Sequence, residues 1–116
     1  MHELGVVMHA CDEIIAFAQE NKIEKIAEVV FEVGEGSGIV VDYLKKCYPV
    51  ATKGTMLEGS EVIVETIPGM VMCLDCFEIY NAVEYKGCCP ECGSKQKEIL
   101  SGREFNIKEI HIPEEE

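Results

Sequence analysis

Four of the seven cysteines of this 116-residue chain form two Cys-x-x-Cys pairs. Cys73 and Cys76 make the first pair, and Cys89 and Cys92 make the second, with twelve residues between the pairs. Two turns of this kind each present two thiolates, and the four sulfurs complete a tetrahedron around one metal ion. Because four thiolates leave no coordination position open, the spacing predicts a structural zinc site rather than a catalytic one.

The alternatives to a zinc site are a redox-active dithiol, a disulfide framework and an iron site. A thioredoxin-like dithiol would need one such pair and not two, and an odd number of cysteines argues against a disulfide framework. Iron also accepts four thiolates, although a closed site without any other redox element favours zinc. Cys88 stands beside Cys89 and would pair with Cys92 at a spacing of three residues. The spacing of two, which repeats that of the first pair, favours Cys89.

The amino terminus offers a second set of donor atoms, all of them nitrogens. The α-amino group of Met1, the backbone amides of His2 and Glu3, and the imidazole of His2 place four nitrogens in or near one plane. Square-planar nitrogen donors suit Ni(II) or Cu(II) and disfavour tetrahedral zinc. Amide nitrogens must lose their protons before they can bind a metal ion, so the affinity of this site for the metal should fall as the pH falls. The competing interpretation is a solvated histidine near a chain end.

The hydrophobic pattern predicts two helices that must position these groups. Apolar residues recur every three or four positions over residues 4–21, which indicates an amphipathic helix. A second helix is predicted from residue 40 to about residue 54. Pro49 lies inside it and predicts either a kink in the last turn or an end near Cys47.

Alternation of apolar and polar residues predicts three strands, at residues 24–33, 61–67 and 103–112. A strand, a helix and a strand at this spacing predict a right-handed parallel crossover. The expected fold is therefore α+β: a three-stranded mixed sheet with two helices on one face, plus an inserted zinc-ribbon-like four-cysteine module. The expected domains are an α+β domain that carries the amino-terminal nitrogen donors, at residues 1–69 with 101–116, and a zinc-binding module at residues 70–100.

The remaining cysteines and histidines receive simpler interpretations. Cys11 and Cys47 fall on apolar helix faces and are predicted to be small core residues. His9 and His111 are predicted to lie at the surface. The outer face of the sheet also retains apolar residues, which we interpret as ordinary surface exposure rather than as a partner face: Val30, Ile63 and Ile67.

The charge of the chain argues against a common use of zinc ribbons, which is nucleic-acid binding. Ten Lys and Arg against 22 Asp and Glu give a net charge of −12, which repels phosphate backbones and anionic lipids. Between Cys73 and Cys92 four acidic residues stand against one lysine, so the module has no basic patch. No run of 18 apolar residues occurs. The chain is thus predicted to be soluble and cytoplasmic, without nucleic-acid or membrane partners.

The opening Met1-His2-Glu3-Leu4, the frame of two helices and three strands, and the four-cysteine module together resemble the HypA/HybF family of hydrogenase-maturation nickel metallochaperones. The resemblance covers essentially the whole chain. Three further segments match the family pattern: Gly34-Glu35-x-Ser37-Gly38, Cys89-Pro90-x-Cys92-Gly93 and Ser101-Gly102-Arg103-Glu104.

The resemblance implies a nickel carrier and not an enzyme. Ni(II) would be a transient cargo of the Met1 amine, the His2 amide and imidazole, and the Glu3 amide, while Zn(II) in the four-cysteine module would be structural. The implied partners are a nickel-binding GTPase, the large subunit of NiFe-hydrogenase and, in some members, urease maturation proteins. We expect the Glu3 side chain to set the local charge or to meet the partner. The competing classes are a zinc-ribbon adaptor without nickel chemistry and a thiol oxidoreductase.

Overall fold

A computed structural model describes residues 3–113 of the chain as two helices and six strands. The strands form two three-stranded sheets, in the orders β2-β1-β6 and β4-β3-β5. The predicted helices and the three longer strands are confirmed. In chain order the elements are α1 (Glu3–Glu20), β1 (Glu28–Gly34), α2 (Val41–Thr52), β2 (Glu61–Ile67), β3 (Met70–Cys73), β4 (Ile79–Asn81), β5 (Lys97–Ile99) and β6 (Phe105–His111).

The first sheet has the mixed pairing that the sequence predicts. β1 runs parallel to β2, with Glu28 opposite Glu61, and antiparallel to β6, with Glu28 opposite His111. Parallel neighbours need a crossover connection, and α2 supplies it between β1 and β2. The register of β1 against β6 shifts between Val30 and Phe31, which leaves Lys108 as an extra residue in β6.

Both helices cover the same face of the first sheet. Val29, Phe31 and Val33 alternate along β1, and they share one buried hydrophobic cluster with residues of α1 and α2. Phe31 stacks on Phe105 with 5.3 Å between ring centroids and meets Tyr48 edge-on at 6.3 Å. The predicted arrangement of two helices on one face is confirmed.

The two cysteines of the helices belong to this cluster. Cys11 and Cys47 are buried in it, as predicted. Burial raises the pKa of the Cys11 thiol to about 11, and the neighbouring Asp12 carboxylate adds to the effect. Cys11 is therefore protonated at neutral pH and packs as a small apolar side chain.

Helix α2 continues through Pro49 and ends at Thr52. The alternative that the helix ends near Cys47 is therefore wrong. Pro49 lacks an N–H group and cannot bond to the preceding turn. The last turn is held instead by Thr52, which is buried and donates its hydroxyl to the Tyr48 carbonyl at 2.9 Å.

The outer face of the first sheet differs from the expectation at Val30, which is 3% exposed. Lys108 on β6 reaches over the central strand and places its Nζ 2.6 Å from Oε1 of Glu65 on β2. Val30 alternates with the helix-facing residues of β1, so the outer face of the central strand is covered at this residue. Ile63 on β2 is 40% exposed, as predicted.

The second sheet lies within the segment predicted to form the four-cysteine module. β3 pairs in antiparallel fashion with β4 and with β5. A small buried cluster supports it, separate from the cluster under the first sheet: Val71, Cys73, Tyr80 and Cys89. The bounds of the two domains, residues 1–69 with 101–116 and residues 70–100, stay a prediction.

Three glycines bring the backbone of the two sheets into direct contact. A Cβ atom on Gly34 would lie 2.1 Å from the carbonyl oxygen of Gly102, and one on Gly102 would lie 2.4 Å from Cα of Gly69. The Gly36 amide donates to the Gly102 carbonyl at 2.6 Å. Only glycine fits at positions 34 and 102, because each atom that a Cβ would meet there belongs to the backbone and cannot rotate away.

We expect Gly34→Ala to lower the free energy of unfolding by about 3 kcal/mol, since its methyl group would force two backbone segments apart. Urea unfolding of zinc-loaded protein measures the change. Gly5→Ala is the matched control, because a Cβ atom there meets nothing within 4 Å and the residue lies in α1. The control should gain as much as about 1 kcal/mol from helix propensity. Equal stability of the two variants would contradict the close contact at the junction.

Candidate metal centres

The four cysteines of the two pairs meet at the end of β3, and their ligand atoms all lie within 4.8 Å of one another. The Sγ atoms of Cys73 and Cys92 are 3.6 Å apart, and those of Cys76 and Cys89 are 3.5 Å apart. Zinc–sulfur bonds of about 2.3 Å require sulfur–sulfur separations of about 3.8 Å in a tetrahedron. Both separations lie within a few tenths of an ångström of this value, so the cluster suits one zinc ion, and it contains Cys89 rather than Cys88.

Each pair is formed by a tight turn with the same hydrogen bond. The Phe77 amide donates to the Cys73 carbonyl at 2.9 Å, and the Gly93 amide donates to the Cys89 carbonyl at 2.8 Å. Phe77 and Gly93 have φ angles of +65° and +77°. A left-handed conformation is uncommon for phenylalanine. The first turn thus has the same geometry as the second despite its bulkier residue.

Backbone N–H groups also point at one sulfur of each pair. The Asp75 amide donates to Sγ of Cys73, and the Glu91 amide donates to Sγ of Cys89, both at 3.4 Å. The Ser94 hydroxyl donates to the Asp75 carboxylate and joins the two turns. These donors stabilise thiolates and fix the turns that present them.

The pKa values of the thiols in the cluster differ from one another. Burial raises the pKa of Cys73, but hydrogen bonds from the amides of Cys76 and Asp75 and from neighbouring thiols outweigh it and lower the pKa to about 7. The Glu78 amide lowers the pKa of Cys76, but burial and the other thiols raise it to about 12. Only part of the cluster is therefore ionised at neutral pH without a cation, and a metal ion that binds there must displace protons.

Of the three predicted nickel-binding residues, Met1 and His2 lie outside the described residues, and Glu3 begins α1. Glu3 is 4% exposed, and its Oε2 accepts a hydrogen bond of 3.0 Å from the Val40 amide. Val40 is the N-cap residue of α2 and makes no capping bond with its own side chain. The carboxylate therefore lies at the positive end of that helix. This burial disfavours contact of the Glu3 side chain with a partner, and our other expectation, that the side chain sets the local charge, stays a prediction.

The other histidines lie at the surface, as predicted. Nε2 of His9 is 2.9 Å from a carboxylate oxygen of Glu13, and the His9 side chain is 80% exposed. His111 lies half-exposed between Glu28 and Glu109, with 3.2 Å to each carboxylate. Within residues 3–113, the four cysteines are the one group of three or more His, Cys, Asp or Glu side chains close enough to hold a metal ion.

Glu35, for which the residue pattern predicts no role, joins the two sheets. Its Oε1 accepts hydrogen bonds from the Gly69 amide at 2.8 Å and from Nδ2 of Asn81 at 3.0 Å. Both bonds lower the pKa of the Glu35 carboxyl below its usual value, and the bond from Gly69 has the larger effect. The signal that could have indicated a role was its place in the Gly34-Glu35-x-Ser37-Gly38 segment.

A family model described as hydrogenase/urease nickel incorporation, metallochaperone, hypA matches residues 1–112 of the chain. The chain is 34% identical over 113 residues to the hydrogenase maturation factor HypA of Streptomyces avermitilis, across 96% of this chain and 86% of that relative. It is 38% identical over 116 residues to HypA of Nostoc punctiforme, across 98% of this chain and 97% of that relative.

The fold is similar to a known solution structure, that of the Ni metallochaperone HypA from Helicobacter pylori. The TM-score is 0.67 at 24% identity, over 99% of this chain and 100% of that one. At this identity the similarity shows the fold alone. Among the described residues, neither helix is long and apolar enough to cross a membrane.

Proposed function

Because the chain belongs to the HypA family of nickel metallochaperones for hydrogenase and urease, we propose that it binds one Ni(II) ion at its amino terminus. The family role confirms the prediction of a carrier rather than an enzyme. The proposed delivery target is the large subunit of NiFe-hydrogenase, with the help of a nickel-binding GTPase. Urease maturation proteins are the proposed second route, and the proposed setting is the cytoplasm.

The proposed nickel ligands are the Met1 amine, the His2 amide and imidazole, and the Glu3 amide. The observation that carries the proposal is the family match, which begins at residue 1 and therefore includes these three residues. Glu3 also starts α1, and the amides of a first helical turn lie outside the hydrogen-bond ladder of their own helix. Ligation by that amide would leave the helix intact.

Release of the cargo follows from the chemistry of the same ligands. Two amide nitrogens bind only after they lose their protons, so a partner that returns protons or offers a competing ligand weakens the whole set. A site at a chain end is also easier for a partner to rearrange than a closed cage. A carrier needs this combination of tight holding and ready release.

We assign Zn(II) to Cys73, Cys76, Cys89 and Cys92 as a structural ion. The sulfur–sulfur separations of 3.5 and 3.6 Å and the amide donors at two sulfurs support this assignment. The ion would cross-link two short turns that bury few apolar residues of their own. Reduced thiols persist in the cytoplasm, which suits the assignment.

Calorimetric titration with Ni(II) tests the nickel proposal on zinc-loaded protein whose first residue is Met1. We expect one tight Ni(II) per chain, with the visible absorption of square-planar nickel. The same chain with Gly-Ser added ahead of Met1 retains every side chain but moves the amine away from the His2 imidazole. This extended chain should lose the tight site at unchanged zinc content, and equal binding by both proteins would contradict the proposal.

A further inference from the structure

We propose that Glu35 is a positioning residue that fixes the four-cysteine module against the first sheet and, through the loop from β1 to α2, fixes the start of α1. The loop comprises residues 35–40. Glu35 is bonded to the module at one end of this loop, and Val40 is bonded to Glu3 at the other. The consequence for nickel binding rests on the proposed function, whereas the positioning itself does not.

The bonds of Glu35 connect three parts of the chain at one residue. Its amide donates to the Ile67 carbonyl at 2.9 Å, which ties the residue to the end of β2. Its Oε1 accepts from Gly69, which precedes β3, and from Asn81, which ends β4. The carboxylate therefore holds both the entry to the second sheet and one of its edge strands.

Asn81 is itself held in one orientation, so its bond to Glu35 is specific. Its Oδ1 accepts hydrogen bonds from the amides of Val83 and Glu84, both at 2.9 Å, while its Nδ2 donates to Glu35. The pKa of Glu35 is lowered, first by the bond from Gly69 and then by the bond from Asn81, so the carboxylate is ionised at neutral pH. Hydrogen bonds to an ionised acceptor are roughly twice as strong as neutral ones.

The rest of the junction consists of backbone contacts beside the two connecting segments. Gly34, Gly69 and Gly102 bring the backbones together, and the Ser101 hydroxyl donates to the Pro68 carbonyl at 2.8 Å. Two segments connect the sheets along the chain, from β2 to β3 and from β5 to β6. Apart from bonds to these segments, the bond of Glu35 to Asn81 is the one side-chain hydrogen bond between the first sheet, including its loops, and the second sheet within residues 3–113. This bond thus restrains rotation of the four-cysteine module about its two connections to the first sheet.

The loop transmits this restraint over a short distance. Residues 35–40 span at most about 20 Å when extended. The Gly36 amide is fixed to the Gly102 carbonyl at 2.6 Å, and the Ile39 amide donates to the Ser37 hydroxyl at 3.2 Å. At the far end the Val40 amide binds the buried Glu3 carboxylate at 3.0 Å. A rotation of the module must therefore displace a loop that is pinned at both ends.

Residual dipolar couplings of backbone amides test the inference on the full, zinc-loaded chain. In the native protein, couplings from the first sheet and from the module should fit one alignment tensor. Glu35→Ala should require two tensors and shift the Val40 amide resonance, at one zinc per chain. Glu35→Gln, whose amide oxygen accepts both bonds, should restore one tensor. Glu84→Ala is the control, because it removes the same charge from an exposed side chain of the module.

One tensor for Glu35→Ala would overturn the positioning role, and two tensors with an unmoved Val40 resonance would overturn transmission through the loop. Ni(II) titration of the same variants adds the functional result. Glu35→Ala should weaken nickel binding about three- to thirty-fold, the range of couplings carried by packed networks, while Glu84→Ala should not. If the native chain binds no nickel at its terminus, the proposed function fails, and the couplings still decide the positioning role.

Discussion

Cys89→Ser is expected to release zinc and to open the segment of residues 70–100, while Cys88→Ser leaves both the metal and the fold unchanged. Cys89 belongs to the cluster of four sulfurs and is 3% exposed, whereas its neighbour Cys88 stays outside the cluster. Structural zinc contributes about 10–16 kcal/mol of apparent binding free energy in small metal-dependent units. The loss of one thiolate in four removes so much of this free energy that the small hydrophobic cluster of the segment cannot keep it folded.

Zinc content per chain and amide hydrogen exchange measure the effect of the two cysteine variants. Cys88→Ser is a close control, because it changes the same atom type one residue away. Faster exchange in Cys89→Ser should be confined to residues 70–100, which also tests the predicted domain bounds. Zinc loss in Cys88→Ser would show that the ligand pair was assigned wrongly, and uniform opening of the chain would show that the module is not separable.

His2→Ala is expected to abolish tight nickel binding and to leave zinc in place. The substitution removes the imidazole, one of the four proposed nitrogen ligands. Partners that merely orient a ligand cost about 10- to 100-fold in metal affinity when they are lost, so loss of the ligand itself should cost at least about 100-fold. Calorimetry and the visible absorption of the bound nickel report the change.

His9→Ala is the matched control for His2→Ala. It removes an imidazole from the same end of the chain, on the solvent face of α1, where His9 contacts Glu13. This variant should bind nickel as the native protein does. If the native protein and both variants bind nickel equally weakly, the protein has a structural zinc ion but no nickel site. This result would contradict the proposed function.

The sequence by itself predicted the local elements and the four-cysteine cluster. The span of β2 agrees with the predicted 61–67, and α1 begins one residue before its prediction, because both are set by a short-range hydrophobic period. The four-cysteine cluster was predictable for a similar reason. The ligand valence of zinc and the spacing within each Cys-x-x-Cys pair are both properties of a few consecutive residues.

Only the tertiary structure decided the contacts between residues that are far apart along the chain. Glu35 meets Asn81 across 46 positions and Val40 meets Glu3 across 37, and no local period encodes such pairs. Lys108 likewise bonds to Glu65 across 43 positions. The sequence therefore determined which four cysteines can form one metal-binding cluster. The packing of the two sheets decided how the segment that carries them is held, since this depends on long-range contacts that form only in the folded chain.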